Sequence, residues 1–150
     1  MTDSSSGEGL ETEAARALLG QAREARGNAY APYSGFHVGA ALLSEDGQVF
    51  TGANVENASY GLTTCAERTA VVKAMSEGIR AFRAIAVTGP DDEVGTPPCG
   101  SCRQILHEAN PHLLVVTPGT AGEPRITPLT ELLPGAFGGE QLSAHHGTRR

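Results

Sequence analysis

Residues 84–117 read AIAVTGPDDEVGTPPCGSCRQILHEANPHLLVVT, and this stretch decides the fold class. Ala84 to Val87 is a short aliphatic run of the kind that forms a buried strand. Asp91 to Pro97 is punctuated like a loop. Cys99 to Ala109 carries helical periodicity and stops before Pro111, and Leu113 to Thr117 is a second aliphatic run. A strand–helix–strand unit implies a right-handed crossover with parallel neighbours. Upstream, Val38 to Leu43 and Val49 to Val55 flank Glu45-Asp46-Gly47, the pattern of an antiparallel hairpin. Between hairpin and crossover lies a helix over Cys65 to Gly78, with Ala66, Ala70, Val71 and Ala74 apolar. A first helix begins near Leu10, with Leu10, Ala14, Ala17, Leu18, Ala22 and Ala25 on one face, and ends around Arg26-Gly27. Its start is loosely specified, because Thr12-x-x-Ala15 is no capping box. Tyr30 to Gly35 reads as a loop and Leu129 to Leu133 as a short last helix. The order predicts an α/β protein, a three-layer α/β/α sandwich around a mixed sheet.

The length, 150 residues, suits one domain, and no internal repeat is visible. The expected organisation is a disordered leader over Met1–Gly9, a single domain over residues 10–137, and a mobile tail over 138–150. Net charge is -6 and the pI is about 5.3. That argues against a surface for polyanions, which needs clustered Lys and Arg, so no nucleic-acid partner is expected. The terminal pair Arg149-Arg150 reads as a solvated tail. No apolar run approaches the ~20 residues of a membrane span, and Met1 to Glu8 has no apolar signal core. A cytoplasmic location is therefore expected, where cysteines stay reduced and their spacing points to metal or catalysis.

The chain has three cysteines. They sit in Thr64-Cys65-Ala66-Glu67-Arg68 and in Pro97-Pro98-Cys99-Gly-Ser-Cys102-Arg103, each at the start of an expected helix. Unsatisfied N–H groups and the positive dipole end favour a thiolate there and prepare it for Zn²⁺. Cys99 and Cys102 stand three apart, so one helical turn can aim both sulfurs at a point that Cys65 reaches from the other helix. Three ligands leave a position for water, as in catalytic zinc sites, whereas structural sites are closed by four. Glu67 lies two residues beyond Cys65, close enough to stand beside the metal without ligating it. The layout matches that of zinc deaminases, including the Pro-Cys-x-x-Cys element. Plainer readings are a redox dithiol at Cys99-x-x-Cys102, a closed structural site completed by one of His37, His107, His112, His145 or His146, and a Glu67 that merely complements a helix dipole. Zinc with three thiolates carries a net charge of minus one, which Arg68 and Arg103 could offset by donating to the sulfurs.

Four segments in order resemble the homotetrameric cytidine deaminase family: residues 31–40 (APYSGFHVGA), Gly52-Ala-Asn54-Val-Glu56-Asn57, Cys65-Ala-Glu67-Arg68-Thr, and Pro98-Cys-Gly-Ser-Cys102-Arg103-Gln104. The similarity runs from about Tyr30 to Phe137. It implies a cytidine deaminase-like sheet of about five strands, one Zn²⁺ per subunit on Cys65, Cys99 and Cys102, and Glu67 as proton shuttle. It also implies that Asn54 and Glu56 hold the ribose 3′-hydroxyl, that Phe36 packs on the base, and that Ala66 contacts substrate. Tyr60 and Phe137 resemble residues that complete a neighbouring subunit's pocket in a homotetramer. Read without the resemblance, Phe36 and Phe137 would be core aromatics and Asn54 a turn residue. His37 departs from the Pro frequent in relatives. The implied reaction is hydrolytic deamination of cytidine or deoxycytidine by zinc-activated hydroxide, in pyrimidine salvage. Alternatives are a blasticidin-type or other aminopyrimidine deaminase, for which Asn54-x-Glu56 would have no ribose to hold, and a non-catalytic zinc-stabilised module, against which Glu67 stands.

Overall fold

The computed structural model describes residues 9–146. Apart from Gly9 the expected leader lies outside the described residues, as do residues 147–150 of the expected tail. Chain order is α1 (Thr12–Arg26), β1 (Gly39–Ser44), β2 (Val49–Ala53), α2 (Ala66–Ser76), β3 (Phe82–Thr88), α3 (Gly100–Ala109), β4 (Leu114–Pro118), β5 (Pro124–Pro128), α4 (Leu129–Leu132) and α5 (Gly139–His146). The stretch read as a tail thus carries a short helix, α5.

The five strands form one mixed sheet in the order β2-β1-β3-β4-β5. β1 and β2 make the expected hairpin, from Gly39 opposite Ala53 to Leu43 opposite Val49, and Gly47 takes the positive φ its turn requires. β3 and β4 are parallel, as the crossover through α3 demands. The connection through α2 is different: β2 and β3 run the same way but are not neighbours, because β1 lies between them, antiparallel to both. A helix is about 10 Å across and strands are spaced about 4.8 Å apart, so α2 covers two strand intervals without strain.

β5 was not legible along the chain. Its sequence is Pro-Arg-Ile-Thr-Pro, with one large aliphatic residue and a proline at each end. It pairs antiparallel with β4 at the sheet edge, where a missing N–H costs no ladder bond on the open side.

Alternation along the strands divides the core in two. Ala40, Leu42, Ile85, Val87 and Val115 face α2, α3 and α4. Ala41, Ala84, Ala86 and Val116 face α1, and three of these are alanine, so α1 lies close to the sheet. Of the face expected for α1, Leu10, Leu18, Ala22 and Ala25 are buried, but Ala14 and Ala17 are exposed and Ala15 and Leu19 take their place in the buried stripe. The two leucines set the stripe: each buries far more apolar area than an alanine, so the helix turns to hide both.

After β3 the chain is pinned back to α1. Asp92 accepts from the Thr88 hydroxyl at 3.1 Å and pairs with Arg26 at 3.3 Å and Arg23 at 3.4 Å. Partial burial pushes the Asp92 carboxyl up, but the Thr88 bond and the two guanidinium charges outweigh it and hold it below the usual range. A depressed folded-state pKa stabilises above the unfolded value of about 3.9 and loses that contribution as pH falls through the folded value. Asp92→Asn is therefore expected to lower stability at pH 7 by under ~1 kcal/mol, given solvent screening, with the gap to wild type closing below about pH 4. Urea melts across pH check it; a gap that widens on acidification is the contrary result.

Candidate active site

Cys65 is the N-cap of α2 and Cys99 the N-cap of α3, with Cys102 in the first turn of α3. Neither cap has a side-chain hydrogen bond to the helix, so both sulfurs remain available. The three Sγ atoms lie within 4.8 Å of one another. Sulfurs sharing one zinc at ~2.3 Å stand about 3.8 Å apart in a tetrahedron, so the cluster fits that ion with little adjustment. Among the described residues no His, Asp or Glu joins the cluster. His107 lies elsewhere, against the backbone at Gly138.

Electrostatics around the sulfurs suit a cation. The Cys65 thiol is brought down to about 6, first by the hydrogen bond from Cys102, then by that from Cys99 and by the charge of Arg68. Donation to Cys65, together with burial, pushes Cys102 up. Arg68 presents a buried Nε with no hydrogen-bond partner among the described residues. A metal-bound set of thiolates, net anionic, would offer this donor an acceptor. Arg103 is placed differently from the expectation that it donates to sulfur. Its Nε donates to the Pro98 carbonyl at 2.7 Å and its Nη1 to the Leu132 carbonyl at 2.8 Å, bracing the Pro97-Pro98-Cys99 entry to α3 against α4.

Glu67 is 5% exposed, and burial raises its carboxyl to about 6. A carboxyl so placed exchanges its proton near neutral pH, which an exposed glutamate does not.

Backbone pairing brings the segment after β2 beside the residue that precedes Cys65. Val55 and Thr64 exchange two hydrogen bonds of 2.9 Å, Tyr30 N–H donates to the Asn54 carbonyl at 2.9 Å, and Glu56 N–H to the Tyr30 carbonyl at 2.8 Å. The end of β2 is thereby stitched to the residue before Cys65 on one side and to the 30–38 loop on the other. Asn54 Nδ2 donates to the Phe36 carbonyl at 2.7 Å, and its Oδ1 accepts from Val38 N–H at 2.9 Å. Glu56 accepts from Tyr33 N–H at 2.9 Å, Ser34 N–H at 3.1 Å and the Ser34 hydroxyl. The Ser34 bonds hold its carboxylate below the usual range. By inventory Asn54 retains one amide hydrogen and Glu56 one lone-pair direction, a donor and an acceptor that together suit a hydroxyl. Ser34 and Tyr33 were not singled out from sequence; the only signal was a short hydroxyl residue in a turn-rich loop.

Phe36, Tyr60 and Phe137 are not core residues: all three rings are exposed, Tyr60 at 74% and Phe137 at 57%. Tyr33 meets Tyr60 edge to face at 5.9 Å, and with Ser34, Glu56 and Thr63 they line a shallow cavity of about 260 Å³. A larger depression of about 800 Å³ lies between β4, β5 and the 93–97 loop. No cysteine and no Glu67 lines it, so chemistry rather than size locates the site.

Gly52 sets the separation of β2 and α2. A Cβ there would come within 2.4 Å of the Ala66 carbonyl oxygen and 2.6 Å of Ala70 N, so α2 rests directly on β2 beside Cys65 and Glu67. Gly52→Ala is expected to cost about 1–3 kcal/mol by overpacking and to lower kcat, because the first turn of α2 must move. A thermal melt beside steady-state kinetics checks this; unchanged values in both are the contrary result.

A mixed α/β/α sandwich with three clustered thiols at two helix N-termini and a buried carboxylate beside them has the layout of the zinc-dependent deaminases as a class. Comparison with known proteins narrows it. Residues 12–117 match the family model described as the cytidine and deoxycytidylate deaminase zinc-binding region. Over 127 residues the chain is 53% identical to a cytidine deaminase of Halalkalibacterium halodurans, covering 84% of this chain and 96% of that one. Against a cytidine deaminase of Sporosarcina psychrophila it is 48% identical over 127 residues, 84% of this chain and 93% of that one. The crystal structure of cytidine deaminase from Burkholderia pseudomallei matches with a TM-score of 0.75 at 52% identity, covering 81% of this chain and 97% of that chain. The chain belongs to the cytidine deaminase family.

Proposed function

We propose that this protein hydrolyses the 4-amino group of cytidine and deoxycytidine, giving the uracil nucleoside and ammonia, as a zinc enzyme of pyrimidine salvage in the cytoplasm. The observation that carries the reading is the meeting of three thiols with a buried glutamate beside them. Cys65, Cys99 and Cys102 would hold one Zn²⁺ per subunit. When bound, the ion supplies Lewis-acid activation of water, whose pKa falls from 15.7 toward ~7 in such sites.

The chain's own residues do the rest. Glu67 takes one proton of the attacking water at its carboxylate and hands it to ring N3; it then takes the second from the hydroxyl now on C4 and delivers it to the amino nitrogen, which leaves as ammonia as the C4 carbonyl forms. Its elevated pKa suits both directions of transfer. Asn54 and Glu56 bind the ribose 3′-hydroxyl through the donor and acceptor left after they fix the 33–38 loop, and Phe36 on that loop packs against the base. Ala66, whose methyl is fully buried, contributes through its main chain. Arg68 offsets the thiolate charge, and Arg103 acts on the ligands indirectly through Pro98. The exposed rings of Tyr60 and Phe137 support a homotetramer with shared active sites, in which each ring closes a neighbour's pocket.

Ultraviolet assay of cytidine, deoxycytidine, cytosine and CMP, beside zinc analysis of the same preparation, tests the reading. The two nucleosides are expected to turn over with one zinc per chain. The free base, lacking the ribose contacts, is expected to be at least 10-fold poorer, since a site built to hydrogen-bond a hydroxyl strongly rejects a ligand without it. Turnover of cytosine equal to that of cytidine would remove the role given to Asn54 and Glu56.

A further inference from the structure

The backbone of the segment carrying Phe137 is held by side chains of the helix whose first turn carries two of the thiols. Gln104 Nε2 donates to the Phe137 carbonyl at 2.8 Å, the only side-chain hydrogen bond to that residue among the described residues. One residue on, Gly138 N–H donates to Gln141 Oε1 at 2.7 Å. A Cβ at Gly138 would come within 2.8 Å of His107 Nε2, so the chain there lies against the imidazole that α3 presents. Gln104 and His107 are three apart and share one face of α3. Phe137 as a residue, by contrast, is 57% exposed. An aromatic with a fixed backbone and a largely solvated ring is held for something outside its own subunit.

We propose that Gln104 is a positioning residue: its amide sets where the Phe137 ring of one subunit enters the base pocket of another copy of this chain. The proposal rests on the shared-site reading above and adds the element that aims the shared residue. Gln104 stands two residues beyond Cys102, so the ring is referenced to the same helix that carries the metal ligands of its own subunit. The side chain is exposed, and its replacement leaves the core untouched. Loss of one such bond corresponds to a factor of about 2–10 in an equilibrium. Gln104→Leu is therefore expected to raise KM for cytidine about 2- to 10-fold, with kcat within about 2-fold. Gln104→Glu, which keeps the shape and removes the donor, is expected to do the same.

Subunit mixing tests the proposal. Gln104→Leu chains are co-assembled with excess Glu67→Gln chains, which turn nothing over but supply intact Phe137 segments; a Phe137→Ala series is run in parallel. The expected result is a return of KM toward the wild-type value in both series, since every active pocket then borders a correctly aimed ring. Rescue of Phe137→Ala without rescue of Gln104→Leu, or a Gln104→Leu KM equal to wild type before mixing, overturns the proposal and leaves the shared site standing. Rescue of neither series overturns both.

Discussion

Glu67→Gln is expected to retain zinc and fold yet lose deamination by a factor of at least ~10²–10⁴, the range that positioned proton transfer supplies. The carboxamide is nearly isosteric with the carboxylate and fits the same buried space beside Cys65, so packing is unchanged. It can neither take a proton from water nor deliver one to the ring. Because Glu67 is not among the clustered thiols, metal content should not follow the loss. The measurement is kcat by ultraviolet assay on protein whose zinc content and thermal melt match wild type. Activity within a few-fold of wild type in such material would falsify the proton-shuttle role.

The second large effect is on the metal. Cys99→Ala is expected to lose zinc, activity and stability together, since the free energy of a structural or catalytic ion is part of the folding free energy. Apparent zinc affinities in small domains amount to ~10–16 kcal/mol, and two remaining thiols retain only part of that. The choice of cysteine matters. Cys102 is buried against the core, so its removal also opens a cavity, whereas Cys99 is exposed at the N-cap of α3. A fall in melting temperature in Cys99→Ala therefore reports the ion rather than lost packing. Chelator treatment of wild type should reproduce most of that fall. A Cys99→Ala protein with full zinc content would show that the triad is not the binding set.

Much of the site could be read from the chain because its parts are local. A cysteine at a helix start, a second one turn on, and a glutamate two residues after the third are patterns of short range, and α2 and α3 begin where they were expected. The readings that shifted depended on what lies across space. Arg103 follows a ligand segment as Arg68 does, yet its guanidinium is taken by the Pro98 and Leu132 carbonyls. The stripe of α1 keeps Leu18, Ala22 and Ala25 but takes Leu19 and Ala15 in place of Ala14 and Ala17, a choice that the alanines left open. β5 carries too little apolar pattern to be seen before its partner β4 is known.

The amino-acid order alone determined which groups could do chemistry here: three sulfurs, one adjacent carboxyl, and helix starts that favour thiolate. Tertiary structure decided that these groups meet. Cys65 reaches Cys99 and Cys102 only because α2 and α3 pack on one face of the sheet, and the strand end carrying Asn54 and Glu56 is tied to the residue before Cys65 only because Val55 pairs with Thr64. Helix signals are written within a few residues. Strand order and the approach of two helices depend on burial and pairing between segments far apart in the chain, so they exist only once the whole core has closed.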